Sequence, residues 1–584
     1  MTTLKTTKAK PVIGSKNHIM LLFAALMITM LMASLNQTVL SAALPTMVGE
    51  LNGVEHMAWI ITAFILASTI MMPVYGKLGD LFGRKPLLIV AILIFMSGSI
   101  LGALSGTMNG VIIARVVQGL GGGGLMILSQ ATIADVIPAR ERGKYMGIMG
   151  GVFALSSVAG PLLGGWLTEG PGWRWAFWLN LPLGVLAVLA TIFLLHVPRT
   201  LNDVRPKIDV VGMMMMGIAT TTLVLACTWG GNTYAWDSRE ILGLFGATVL
   251  FGVAFVLVER KVSEPVIPLM LFKNRNFVLT TFAALMVGIA MFGAIGYMPT
   301  YLQMVTGFGP TEAGLLMIPM MGALLVTSVV VGRQVSASGR YKKVMMAGTL
   351  LLGLGLGLLS SIHADTEVYM ICVFLGVIGL GLGMSMQMLT LVAQNSFPLK
   401  FVGTATAGQN YFRQVGATLG SAVVGSLFAS RLKDILADKL PAGASSGAST
   451  NSLTPELVTS LPAPIRDVIV SAYNEALVPL FLWMVPLAIA ATIALFFMKE
   501  VTLATRIERE VPAAAVSEGQ LAGADAPAPA EQREPVSVGA GGGGSEPSQV
   551  PSMAPVPATQ VSEAAGSEAG QRPRGAHRAT GQAE

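Results

Sequence analysis

Charge is scarce in this chain. Of 584 residues only 12% are Asp, Glu, Lys or Arg, about half the share of an ordinary soluble domain. A soluble fold of this length needs charged faces on most of its elements, so that class is excluded. Cysteine is nearly absent. Cys227 and Cys372 both fall inside apolar runs, where they read as small hydrophobes and offer no disulfide or metal framework. The chain has no Walker A pattern, no zinc-ligand spacing and no convincing nucleophile–base triad. We therefore expect no catalytic residues, no metal and no cofactor. The stretch "GLGGGGLM" has the glycines of a phosphate loop, but it lies in an apolar run and lacks the Lys-Ser/Thr ending. A formal net charge of +6 does not by itself imply nucleic acid, and none is expected as a partner.

What is present is apolar length. Hydrophobic residues make up 53% of the chain, with a mean hydropathy of +0.68. Short alternating strands of the barrel kind are not the pattern. Instead, apolar runs follow one another at roughly 19–43, 57–75, 87–105, 110–134, 145–168, 176–196, 210–229, 240–258, 277–302, 312–335, 343–362, 368–393, 403–431 and 477–498. Each can cross the ~30 Å hydrocarbon layer as a helix. The first could be mistaken for a signal peptide, but it is long and lacks a clear cleavage site, so it reads as a span.

The expectation is an all-α polytopic protein with fourteen transmembrane helices. The loops after spans 2, 4, 6, 8, 10 and 12 carry eighteen Lys and Arg; the opposite short loops carry two, Arg174 and Arg239. That asymmetry places both termini in the cytoplasm. Residues 1–18 form a cytoplasmic N-terminus, and 501–584, rich in Ala, Pro, Gly, Ser and Glu, a disordered cytoplasmic tail. Loop 433–476 is long and lies outside. It is either an extracytoplasmic cap or a tolerated insertion, with a short amphipathic stretch near Ile465–Tyr473.

The chain also repeats itself. "GKLGDLFGRKP" follows span 2 and "GRQVSASGRYKK" follows span 10; each holds a glycine, six residues, then Gly-Arg. Upstream, "LPT" at 44–46 matches "MPT" at 298–300. Residues 19–200 and 263–500 therefore read as two six-helix halves, with two inserted helices in 201–262 between them. Parallel repeats of this kind are a transporter architecture. Gly76, Asp80, Gly83 and Arg84, with Asp135 at the end of span 4, form a candidate conformational latch; the competing reading makes the basic residues topology signals and Asp135 a solvated helix-end carboxylate. Ser336 stands where the first copy has Asp80, so an acidic latch is expected only once.

Several polar groups lie deep in apolar runs, where they need partners or a cavity. Asn36 and Gln37, in "ASLNQTVLSAALP", sit about 100° apart on span 1, so at most one points squarely into a central cavity. Asn36 is the choice. Arg115 and Gln118 are three apart on span 4, and Asn410 and Arg413 on span 13. Arg115 and Arg413 are either cavity groups or structural ones. Gly160, Pro161, Gly164 and Gly165 let span 5 kink and pack closely, as a hinge or as ordinary helix packing. Trp173, Trp175 and Trp178 read as an aromatic belt, and the methionines mostly as lipid or core contacts.

These stretches resemble the major facilitator superfamily, specifically the fourteen-helix drug:proton antiporters of the EmrB/QacA type. The resemblance rests on "GKLGDLFGRKP", on "ARVVQGLGGGG" in span 4, "SSVAGPLLGGWL" in span 5, "GWRWAFWLNLPLG" at span 6 and "YFRQVGATLGSAV" in span 13. It implies the major facilitator fold. It also implies proton-driven export of small lipophilic compounds, including antimicrobials, across a bacterial-type plasma membrane, with the lipid bilayer and protons as the other partners. By resemblance Arg115 joins proton or substrate coupling, and the span 5 glycines seal or hinge the cavity. Many relatives carry a carboxylate at the position of Asn36, and an amide cannot carry a proton in that way. Asp135 and Glu312 are then the coupling candidates. Two alternatives remain: an exporter with one narrow cargo (a metabolite, peptide or lipid), and a non-transporting receptor or scaffold.

Overall fold

The computed structural model describes residues 16–51, 56–195, 207–231, 233–439, 458 and 461–505. The proposed N-terminal segment up to residue 15, residues 440–457 and 459–460 of loop 433–476, and the tail from 506 lie outside the described residues. Among these, fourteen helices are long and apolar enough to cross a membrane. They are α1 (Asn17–Glu50), α2 (Trp59–Phe82), α3 (Arg84–Leu104), α4 (Met108–Val136), α5 (Ala139–Glu169), α6 (Trp175–Leu194), α7 (Val210–Trp229), α8 (Arg239–Glu259), α9 (Arg275–Thr306), α10 (Glu312–Ser338), α11 (Lys342–Leu359), α12 (Val368–Asn395), α13 (Leu399–Lys439) and α14 (Ala463–Phe496). The count and order match the apolar runs.

The packing repeats with a period of eight helices. In the first bundle α1 packs on α5 and α6, α4 on α2 and α3, and α3 on α6. In the second, α9 packs on α13 and α14, α12 on α10 and α11, and α11 on α14. Every pair in the first set has its counterpart in the second. The contacts between bundles repeat too: α2 meets α13 and α5 meets α10, which are the same pair with the bundles exchanged. The inserted pair, α7 and α8, packs on itself, with α7 touching both α2 and α13. The repeat reaches the loops. Gly83 and Gly339 close the equivalent turns at φ +87° and +73°, a region in which only glycine is unstrained.

Two helices run past their apolar segments. At about 1.5 Å per residue, the 38 residues of Val402–Lys439 and the 34 of Ala463–Phe496 each exceed a ~30 Å hydrocarbon layer. Their far ends pack together. Leu432, Leu436, Ile469 and Tyr473 are buried there with Val458, and Lys439 Nζ pairs with Glu475 at 2.6 Å. Helix therefore occupies both margins of loop 433–476. The stretch near Ile465–Tyr473 continues α14 and is not a separate element.

Candidate functional site at the seam between the bundles

The Gly-Arg loops lie where the bundles touch, and the first of them carries a crossing contact. Asp80, near the end of α2, accepts hydrogen bonds from the Gly403 N–H at 3.0 Å, the Thr404 N–H at 2.7 Å and the Thr404 hydroxyl at 2.8 Å. All three donors stand at the start of α13 in the other bundle. A carboxylate there meets unpaired N–H groups and the positive end of the helix dipole. Arg84 holds the same carboxylate at 3.2 Å and Asp135 at 2.8 Å, and it donates to the Ala131 carbonyl at the end of α4. Arg142 caps the same end through the Ala134 and Ile137 carbonyls. The structure thus brings Asp80, Arg84 and Asp135 together, with the side chains of Asp80 and Arg84 each only 4% exposed.

Gly76 lies one turn before Asp80. A Cβ there would sit 2.4 Å from Ala407 Cβ and 2.8 Å from the Gly403 carbonyl, so glycine is what lets α2 reach α13. The second seam has the same build without the acid. A Cβ on Gly332 would lie 2.3 Å from the Gly143 carbonyl of α5. Ser336, at the Asp80 position, accepts from the Lys144 N–H at 2.9 Å and donates to the Glu141 carbonyl. Arg140 adds bonds to the Ser336 and Ala337 carbonyls. One seam is closed by a carboxylate on a helix start, the other by a serine and an arginine on backbone groups.

Sequence reasoning missed the α5 side of this seam. A Cβ on Gly147 or Gly150 would press on Ser328 at 2.3 and 2.4 Å. The spacing of Gly143 and Gly147, four residues apart, was the available signal. It also missed a layer of amides. Gln130 of α4 accepts from Asn410 of α13 at 3.2 Å, and its backbone carbonyl accepts from Gln394 of α12 at 3.3 Å. Gln394 donates to Thr406 as well. Asn410 in turn accepts from Arg413 at 2.7 Å. Asn410 and Arg413 therefore belong to a neutral-to-cationic network that crosses between the bundles.

Asn36 and Arg115 lie elsewhere, inside the first bundle. Arg115 donates to the Ile60 carbonyl at 3.0 Å, to Asn36 at 3.2 Å and to Gln118 at 2.9 Å, and Gln118 donates to Ser99 at 2.8 Å. Its guanidinium sits 4.3 Å from the centre of the Phe64 ring, a cation–π distance. The network joins α1, α2, α3 and α4, and among the described residues no carboxylate takes part. Asn36 is 2% exposed, with its Nδ2 unpartnered; Gln37 is half-buried on the adjoining face.

The α5 glycines divide. Gly160 and Gly164 press on Thr38, Val39 and Ala42 of α1, whereas a Cβ on Gly165 would meet nothing within 4 Å. Pro161 lies in the same stretch, and the Thr38 hydroxyl bonds the Ser156 carbonyl at 2.9 Å, in the turn before the proline. Glu312 is exposed, and its carboxylate accepts from the Gly309 N–H at 3.2 Å, as a helix-start cap. Trp173 corrects the aromatic-belt reading: it is 2% exposed and donates from Nε1 to Glu50 at 2.6 Å. Arg174 holds the same carboxylate at 2.7 Å. Trp175, at 51% exposed, does face outward.

Two bundles of identical pairing that meet along exchangeable seams define a membrane transporter fold. Residues 26–421 match the profile of the Major Facilitator Superfamily, and the chain belongs to that family. It is 39% identical over 486 residues to the uncharacterised MFS-type transporter Rv1877 of Mycobacterium tuberculosis, covering 83% of this chain and 70% of that one. It is 35% identical to the multidrug transporter protein MdtP of Bacillus subtilis, covering 80% of this chain and 89% of that one. Among solved structures, the human organic anion transporter MFSD10 superposes with a TM-score of 0.54 at 14% identity, over 82% of this chain and 99% of that one, a likeness of fold.

Proposed function

We propose that the protein is a secondary active exporter that moves hydrophobic or amphipathic compounds out of the cell by proton antiport. Residues 19–200 and 263–500 are its two moving halves, and the latch end faces the cytoplasm, where the basic loops lie. The observation that carries the reading is the Asp80 crossing. A buried carboxylate bonded to three donors of the opposite bundle is a contact that exists in one arrangement of the halves and is given up in the other. That the multidrug transporter protein MdtP is a relative supports a small-molecule cargo.

The cargo follows from the buried charges. Among the described residues, Arg115 and Arg413 are charged groups deep in the bundles, and the carboxylates of the spans stand near span ends. Guanidinium groups in the body of the bundles disfavour a permanent cation near them, because like charges repel strongly where water is excluded. Neutral and weakly anionic amphiphiles fit better. The test is a panel of unrelated lipophilic dyes in inverted vesicles with an imposed pH gradient. Uptake of several that collapses with a protonophore supports the reading. Uptake of one compound alone makes the protein a narrow-cargo exporter, and no uptake by pure reconstituted protein ends the reading.

Asn36→Asp probes the first-bundle network. The variant removes the unpartnered Nδ2, which costs roughly 1–3 kcal/mol while buried, and gives Arg115 a charged partner. We expect a more heat-stable protein whose transport gains a titration step that the wild type lacks. Thermal melts and pH–rate profiles of both forms check this; identical profiles contradict it.

A further inference from the structure

The inserted helices end in a buried acidic pair that the seam does not use. Glu259 closes α8 and is 3% exposed; Asp209 precedes α7 and is 5% exposed. One oxygen of each is occupied. Glu259 Oε1 accepts from the Val266 and Ile267 N–H groups at 3.0 and 3.4 Å, and Asp209 Oδ1 accepts from the Gly212 N–H at 2.8 Å. The other oxygens, Glu259 Oε2 and Asp209 Oδ2, are buried with no hydrogen-bond partner. The two inserted helices are chain neighbours that pack on each other, so the start of α7 and the end of α8, with Asp209 and Glu259, share one end of the pair. Lys77 is committed elsewhere, to Glu264 at 2.6 Å. Among the described residues, Lys207, Arg260 and Lys261 flank the two acids in the chain and are exposed. Two buried carboxylates that each leave one oxygen without a donor are costly as anions, and a proton on Glu259 removes one of the two charges.

The pair is also wired to the seam. The segment that Glu259 holds, with Val266, Ile267 and Leu271, is buried in one apolar cluster with Val74 of α2, Phe277 of α9, Ala393 of α12 and Ala405 of α13. Val74 lies two residues before Gly76, and Ala405 one after Thr404. A change in charge at Glu259 alters its grip on the Val266 and Ile267 N–H groups, and so the seat of residues packed against both sides of the latch.

We propose that Glu259, at the end of the inserted helix pair that also carries Asp209, is a proton-binding site through which that pair couples proton occupancy to opening of the seam. The inference rests on the proton-driven reading above and names a site for it. Proton binding converts the Glu259 carboxylate to the acid, and release restores it.

The test uses the full chain, wild type and Glu259→Gln, which keeps an oxygen for Val266 and Ile267, with Asp209→Asn and Glu259→Asp alongside. Two readouts are taken. The first is the infrared band of protonated carboxyl groups, titrated with pH. We expect a component in the wild type that Glu259→Gln removes, Asp209→Asn moves along the pH axis and Glu259→Asp retains. The second is transport in proteoliposomes. We expect Glu259→Gln to lose about tenfold or more of pH-driven accumulation while substrate exchange across the membrane stays within about twofold of wild type. No lost band, unchanged pH-driven accumulation, or loss of exchange together with accumulation each overturns the proposal. If the wild type shows the band but accumulates nothing under a pH gradient, the export reading fails and the proton site stands.

Discussion

Asp80→Asn is expected to lower transport to less than about a tenth of wild type while the protein remains folded. The amide keeps one acceptor oxygen where the carboxylate offers two, and it faces Arg84 without charge. Hydrogen bonds to charged groups contribute roughly 1.5–3 kcal/mol each, and Asp80 makes three across the seam. Losing even ~3 kcal/mol from one of two states changes their ratio by more than about a hundredfold, which leaves the halves parted at the latch end. Accessibility reads this directly. Ala407 is fully buried at the seam. A cysteine placed there, with Cys227 and Cys372 replaced by Ser, should resist a thiol reagent in the parent and react readily with Asp80→Asn present. Wild-type turnover, or equal protection of the cysteine, would sink the latch assignment.

Gly76→Leu should have an effect as large by a different route. The added Cβ alone would sit 2.4 Å from Ala407 Cβ, inside any contact distance, and the atoms in the way include the α13 backbone. The helices must separate along the seam, so α13 can no longer be capped by Asp80. Gly332→Leu should do the same against the Gly143 carbonyl. Gly165→Ala is the control, since nothing lies within 4 Å of its Cβ position. We expect near-zero transport for the two leucine variants and near-wild-type transport for the control. Active Gly76→Leu protein would mean that the seam never closes this tightly during turnover.

Much of this was legible in the sequence because hydropathy and glycine placement act locally. The spans appear as runs, and the repeat appears as two Gly-Arg loops whose glycines share a positive φ. The latch triad could be named because Asp80 and Arg84 are four apart in one loop. Its partners could not, since Gly403 and Thr404 lie over 300 residues away and carry no mark of their own. The α5 seam glycines were missed because close packing uses the same spacing within a bundle and between bundles. The motif glycines Gly160 and Gly164 stay within the first bundle, on α1. Trp173 has the position and composition of a belt residue, and only its bond to Glu50 separates it from Trp175. The overhangs of α13 and α14 lack a hydropathy signal because they leave the hydrocarbon layer. Arg115 was conspicuous as a buried charge, but that its partners would be a carbonyl, two amides and a ring was not readable.

We propose that the seam is one of two alternating arrangements. The most direct measurement is the distance between spin labels on Phe82 of α2, which is 41% exposed, and on Lys400 at the start of α13, in full-length protein in lipid. Two distance populations are expected: a short one belonging to the closed seam, and a longer one that gains at its expense in Asp80→Asn and shifts with pH and added substrate. A single distance, unmoved by the variant, by pH or by substrate, would contradict it.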